Sequence, residues 1–308
     1  MQKLLDKNHI GTVVLAYNRP SHLKRLLISL QRSNIHKISL YLDKPTDQLS
    51  NVNQKEILRQ IKAAVWLKCN VIKLKKHSGV SKSVKFALDN EFRIYDKIIF
   101  LEDDCIPFKF FFQYMINCLN KFENNNKIRT VCGYQLPFLN KRRKIVKNIF
   151  IKRFIPWGWA TWKDRWVEYN ESLMNIKKTI YKSKKKIYLP KEINNYLKNK
   201  RLLNNSEDVW SINWACLHYL TNSLCVYPNV SLIRNIGFDG SGVHCLFSSS
   251  FTVNNYEKYI RRVNISNKFL ENKVNEKKFE NYMLKNFSKT ILKPNKINSK
   301  KKPRGISN

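Results

Sequence analysis

The sequence predicts an α/β fold, a mostly parallel, twisted sheet flanked by helices. Short apolar runs recur through the first 135 residues, and the stretches between them place apolar residues at helical spacing. Strands separated by helices of this length pair in parallel through right-handed crossovers. Polar or acidic residues follow the apolar runs directly, at the carboxyl ends of strands where open α/β sheets bind ligands.

Taken in order, residues 11–16 (GTVVLA) read as a buried strand that ends at Tyr17-Asn18-Arg19-Pro20. Pro20 suits the first turn of a helix, and Leu23, Leu26, Leu27 and Leu30 share one face of it. A strand over 38–42, a helix around 52–66 and a strand over 70–74 follow. Next comes a helix near 80–93 with Val80, Val84, Ala87 and Leu88 turned inward. Residues 97–101 (KIIFL) form the most apolar strand. Asn18-Arg19, Asp43, His77-Ser78-Gly79 and Glu102-Asp103-Asp104 each stand just past a strand, so they are expected on one rim. After residue 135 the regularity fades: an exposed basic loop at 141–144, an aromatic cluster at 157–162, Lys-rich helices over 172–202, and a helix over 206–220 capped by Ser206. From 254 the chain turns polar, and 293–308 is expected to be disordered.

The 308 residues can bury a full core. Lys and Arg number 58 against 22 Asp and Glu, a net charge of +36. Lys, Asn and Ile are abundant together, as in a chain from an AT-rich genome. The excess therefore has two readings, drift over a solvated surface or an anionic partner. The first ten residues are too polar for a secretory signal, and no stretch approaches the roughly 20 apolar residues of a membrane span. Seven cysteines form no C-x-x-C pair, which argues against structural zinc and a disulfide framework and for a reducing cytoplasm.

Glu102-Asp103-Asp104 is the strongest chemical signal. At this acidic content three consecutive acids arise by chance only about 0.1 times in the chain. Beyond a buried strand three carboxylates repel one another unless a cation neutralises them, and Mg2+ or Mn2+ favours such oxygen ligands together with substrate phosphates. The competing reading is an acidic first turn of a helix.

Four segments together resemble bacterial sugar transferases of the GT-A (Rossmann-like) type, and more distantly the N-acetylglucosaminyltransferase I group. They are VVLAYNRP at 13–20, IFLEDD at 99–104, PWGWATW at 156–162 and NIGFDGSGVH at 235–244. The resemblance covers about residues 8–247. It implies a GT-A domain over 1–253, with a nucleotide-sugar half at 8–135 and an acceptor half and lid at 136–247, followed by a basic extension at 254–308. It also implies metal-dependent, inverting transfer from a nucleotide-sugar donor, with a UDP-sugar favoured, to a glycan or lipid-linked hydroxyl in surface polysaccharide or lipooligosaccharide synthesis. Glu-Asp-Asp stands as a variant of the Asp-x-Asp motif: Asp104 would bind the ion, Asp103 the ribose, and Glu102 the donor sugar or a water on the ion. Asn18, Arg19 and Asp43 would line the base and ribose pocket. Relatives often carry Asp-Gly where this chain has Asp43-Lys44, and Asn-x-Gly where it has Ser78-Gly79, which would touch the donor.

Sugars present apolar C–H faces that aromatic rings cover, so Trp157 and Trp159, flanking Gly158, are expected at the acceptor or sugar site. Trp162 and Trp166 fit the core equally well. Glu207-Asp208 can supply a general base, Asp208 standing shortly before Trp210 as the family's acid does. Helix capping by Ser206 with acids in the first turn is the alternative. His244, in a Gly-rich turn, is expected as a metal ligand or phosphate contact. The basic runs lie in separate segments without interleaved aromatics, which disfavours nucleic acid. An anionic inner membrane leaflet, holding a cytoplasmic protein at its surface, suits them better. The intact acids argue against an inactive GT-A-like binding protein.

Overall fold

The computed structural model describes residues 1–169, 178–180, 182, 187–198, 210–241, 248–266 and 273–291. The first half builds as its periodicity dictates: α1 (Gln2–Lys7), β1 (Ile10–Ala16), α2 (Pro20–Arg32), β2 (Lys37–Leu42), α3 (Gln48–Ala63), β3 (Lys68–Lys73), α4 (Gly79–Glu91) and β4 (Lys97–Glu102). All seven residues of β1 are buried, and Leu23, Leu26, Leu27 and Leu30 form the inner face of α2. Helix α3 starts four residues before the expected position. Asp47 accepts from the Ser50 backbone N–H at 2.7 Å while Ser50 Oγ accepts from the Asp47 N–H at 3.1 Å, a reciprocal cap that the apolar period does not reveal.

The chain continues through β5 (Cys105–Pro107), α5 (Phe111–Lys121), β6 (Ile128–Cys132), β7 (Ile145–Val146), β8 (Asn148–Ile151), β9 (Trp159–Trp162), α6 (Lys163–Trp166), β10 (Leu224–Pro228), β11 (Ile233–Asn235) and β12 (Arg262–Val263). Helices Lys191–Lys198, Trp210–Leu220 and Lys273–Ile291 complete it. One eight-stranded sheet runs β3-β2-β1-β4-β9-β6-β10-β8. Strands β3, β2, β1 and β4 are mutually parallel, as are β6 and β10, whereas β9 runs antiparallel between β4 and β6. Val13, Leu40, Ile72 and Phe100 thus share one sheet, and the chain has the expected α/β architecture, a mostly parallel twisted sheet flanked by helices.

The segment after 135 adds three strands, β9, β10 and β8, to the same sheet. They escape periodicity because β8 and β9 are four residues long and β9 is buried throughout. The described part of the polar segment after 254 packs onto the rest of the chain. Strand β12 pairs with β7, and the last helix buries Phe279 and Met283. Phe279 sits at 5.4 Å from the Tyr227 ring, and Glu280 accepts a hydrogen bond from Tyr188 at 2.8 Å. Residues 293–308 lie outside the described residues. Among the described residues no helix is long and apolar enough to cross a membrane, and the six described cysteines are unbonded thiols.

The sheet's centre is aromatic. Trp159 has no exposed surface and stacks on Trp210 at 5.4 Å, with Phe154, Phe100 and Trp214 around it. Trp159→Ala leaves a void in a strand hydrogen-bonded on both sides. Urea denaturation is expected to show a loss of about 3–5 kcal/mol, and an unchanged midpoint would contradict this packing.

Candidate active site

Strands β1, β2 and β4 lie side by side and parallel, so the residues following them meet at one rim. A cavity of about 220 Å³ opens there. Of the residues expected on the donor side, Asn18, Arg19, Asp43, Gly79, Glu102 and Asp103 line it, joined by Asp104. Ser78 instead contributes its backbone N–H to Asp43. Sequence reasoning missed Ser83, although Gly79, Val80 and Ser83 fall on one face of α4. Ser83 is buried, lines the cavity, and among the described residues its Oγ has no hydrogen-bond partner.

The acidic triplet is not the first turn of a helix. It leads into the short strand β5, and the next helix begins at Phe111. The turn is pinned by two backbone bonds: the Asp103 N–H donates to the Leu15 carbonyl at 3.0 Å, and the Ile236 N–H donates to the Asp104 carbonyl at 2.9 Å. Asp103 and Asp104 are 2% and 5% exposed. The cation that neutralises them is Arg19, whose Nη2 donates to Asp103 Oδ1 and, at 2.9 Å, to Asp104 Oδ2. Burial alone would lower the Arg19 pKa, but Asp104 and Asp103 outweigh it and raise it above the ordinary arginine value. One guanidinium does not neutralise the whole triplet. Burial, with Asp104 adding to it, pushes Glu102 up to about 8. Burial pushes Asp103 up to about 7 against the pull of Arg19. Among the described residues Asp103 Oδ2 is buried without a hydrogen-bond partner.

Asp43 organises the rim from β2. Its carboxylate accepts from the backbone N–H groups of Lys44 (2.9 Å), Ser78 (2.9 Å) and Gly79 (2.8 Å), and His77 Nδ1 lies 3.1 Å away. It thereby caps α4, a task the adjacent Ser78 side chain does not perform. Gly79 takes φ +74°, a backbone state that favours glycine and lets the chain enter α4 beneath Asp43.

Strand β11 pairs antiparallel with β5, so the chain after Asn235 crosses the acidic turn. Gly237 packs against Asp104, where a Cβ would stand 2.1 Å from Oδ2 and 3.1 Å from an Arg19 nitrogen. A side chain there would displace the carboxylate. Further along, Asp239 Oδ2 lies 3.2 Å from His22 Nε2, and Ser241 reaches the cavity wall. Three of the four motifs therefore converge on Asp104.

The fourth motif behaves differently: Trp157 and Trp159, expected at an acceptor or sugar site, lie in the interior. Strand β9 is interior, so Trp159 is 0% and Trp157 6% exposed. Trp157 packs edge-on against Phe238 at 5.1 Å and Phe251 at 5.2 Å, which holds the residue next to Gly237. Gly158, expected to let a ligand approach, instead admits Ile233, whose side chain a Cβ would meet at 2.6 Å. Glu207, Asp208 and His244 lie outside the described residues. The helix Trp210–Leu220, which follows Glu207 and Asp208 in the chain, begins beside α4, where the Trp210 N–H donates to Ser81 Oγ at 3.1 Å.

Among the described residues no group of three or more His, Cys, Asp or Glu side chains is placed to hold a metal by itself. The site does offer a hard oxygen donor set, Asp104 with the unpartnered Asp103 Oδ2. That set suits Mg2+ or Mn2+ where a ligand's phosphates complete the shell.

A pH dependence follows from Glu102 and Asp103. Their folded pKa values, about 8 and about 7, lie above those of the unfolded chain. Between about pH 4 and pH 8 the folded protein therefore binds more protons than the unfolded one, and stability falls as pH rises. In EDTA the thermal midpoint is expected to drop by several degrees from pH 5 to pH 8. A Glu102→Gln/Asp103→Asn protein should flatten that slope, and an equally steep slope in the double variant would refute the assignment.

No family model matches the chain, and no curated protein matches it. Among solved structures it is similar to the mannosyltransferase PcManGT from Pyrobaculum calidifontis in complex with GDP-Man and Mn2+. The identity is 12% and the TM-score 0.36, over 51% of this chain and 45% of that one, so this chain spans less than half of that enzyme. It is also similar to 4-diphosphocytidyl-2C-methyl-D-erythritol synthase from Anaerococcus prevotii, at 11% identity and a TM-score of 0.36, over 92% of this chain and 100% of that one.

Proposed function

We propose that the chain is a metal-dependent glycosyltransferase, moving a sugar from a nucleotide-sugar donor, a UDP-sugar by preference, to a hydroxyl of a glycan or glycolipid. One observation carries the reading. Segments more than 200 residues apart bring Arg19, Asp43, Glu102, Asp103, Asp104 and Gly237 together at the carboxyl rim of a parallel sheet. Nothing in the folding of the sheet calls for three acids there, and burying them costs stability.

In this reading Asn18, Arg19 and Asp43 bind the base and ribose side of the donor, Asp103 reaches the ribose, and Ser78 and Gly79 border the sugar diphosphate. Asp104, with His244 as a further ligand or phosphate contact, would hold Mn2+ or Mg2+. The ion supplies neutralisation of charge on the departing diphosphate. Glu102 faces the donor sugar. Asp208 accepts the proton of the acceptor hydroxyl as the oxygen attacks the anomeric carbon from the side opposite the diphosphate, which inverts that centre. The net charge of +36 supports loose attachment to the anionic inner face of a membrane, where lipid-linked acceptors reside.

Thermal-shift screening of UDP-, GDP-, CMP- and dTDP-sugars with Mn2+ is expected to select one nucleotide class. Asp104→Asn should then abolish Mn2+-dependent donor turnover while leaving the fold intact. Near-normal turnover by that variant in EDTA would remove the metal assignment. Asp208→Asn should leave donor binding in place and slow transfer by about 10²–10⁴. Glu207→Gln, at the neighbouring carboxylate, is the control. Full activity in both variants would remove the base and, with it, the inverting mechanism.

A further inference from the structure

A groove of about 720 Å³, larger than the donor cavity, lies on the α2 side of the β5–β11 ribbon. Arg25, Ile28, Ser29 and Arg32 form one stripe of α2 at helical spacing and make one wall. The ribbon makes the other wall, with Arg234 opposite Ile106 in register and both turned outward, while Cys105, Pro107, Ile233 and Asn235 are buried. Ser29 Oγ donates to the Pro107 carbonyl and ties the walls together. Lys109 closes one end.

The groove therefore gathers four cations, Arg25, Arg32, Lys109 and Arg234, against one carboxylate, Glu257, which accepts from the Lys109 backbone N–H at 3.1 Å. Among the described residues none of the four cationic side chains pairs with a carboxylate. Like charges converging in a concavity repel one another, and the enclosing walls focus their field outward. Arginine forks match phosphate oxygens in geometry as well as charge. The apolar side chains among the lining, Ile28, Ile106 and Ile236, suit the C–H face of a sugar ring. The position is also specific, because the ribbon runs directly into Asp104 at one strand and Gly237 at the other, whereas the donor cavity lies across the rim against α4.

We infer that this groove binds the phosphate groups of a phosphorylated saccharide, the acceptor of the transfer reaction. The acceptor role rests on the transferase reading; the anion site does not.

Calorimetric titration with inorganic tripolyphosphate in EDTA tests it. Arg25→Gln/Arg234→Gln should weaken binding by at least about tenfold. Lys55→Gln/Lys62→Gln, which removes two exposed cations from α3, should change it by less than about twofold. Asp104→Asn should leave it unchanged. Equal losses in the two double variants, or none in the groove variant, would overturn the site, and tighter binding by Asp104→Asn, which removes a carboxylate and frees Arg19, would move the anion to the donor cavity. Co-sedimentation with phosphatidylglycerol vesicles separates the sources: the groove variant should bind them as the native chain does. A parallel loss there would make a lipid headgroup the ligand and overturn the saccharide assignment. Since tripolyphosphate binding needs no turnover, absent donor turnover with an intact groove would refute the transferase reading alone.

Discussion

Two aspartates stand side by side at the end of β4, almost closed to water, and Arg19 lies across both of them. Carboxylates so buried need a partner, because removing one member of a buried pair leaves a charge that typically costs about 3–5 kcal/mol. The parallel register of β1 with β4 is what supplies that partner. It sets Leu15 beside Glu102, so that the chain leaving β1 delivers Arg19 next to the acidic turn. Pro20 then starts α2 at once, which keeps Arg19 at the helix entrance rather than within it. The bridge also sets a condition on chemistry, since any cation that approaches Asp104 Oδ2 meets Arg19 there first.

The loop that closes this turn is held from the core. Gly237 admits no side chain because Asp104 occupies the space, and the next residue, Phe238, is fixed by Trp157 and stacks on Phe251 at 5.0 Å. Trp157 is therefore coupled to the site through Phe238. The tryptophan segment and the Gly-rich segment, far apart in sequence, are two parts of one device. One is anchored in the sheet and the other is laid over the carboxylates.

What could be read from the sequence follows from how long each signal runs. Strands β1 to β4 and the leucine face of α2 were legible from short apolar runs and helically spaced leucines, and the rim followed from where those strands end. The second half of the sheet was not legible. In β9, WATW is buried on both faces and shows no alternation, so its aromatic content suggests a sugar site when its position dictates a core. The last helix was hidden by its lysines, although Phe279 and Met283 carry its packing at a spacing of four. Asp43 was legible as a rim residue but not as the cap of α4, since that role depends on a backbone turn 35 residues away.

Charge is the remaining constraint. A chain of net charge +36 keeps an acidic centre only if its cations are held away from it, apart from the one that the centre uses. The β5–β11 ribbon does this by strand alternation. Cys105 and Asn235 turn inward beside the acidic turn, while Ile106 and Arg234 turn outward to the groove. A one-residue slip of this pairing would exchange the two faces and carry Arg234 toward Asp104. The bond from the Ile236 N–H to the Asp104 carbonyl and the close approach of Gly237 to Asp104 both oppose that slip. The contacts that shape the acidic turn are thus the same ones that keep a cationic surface and an anionic site one strand apart.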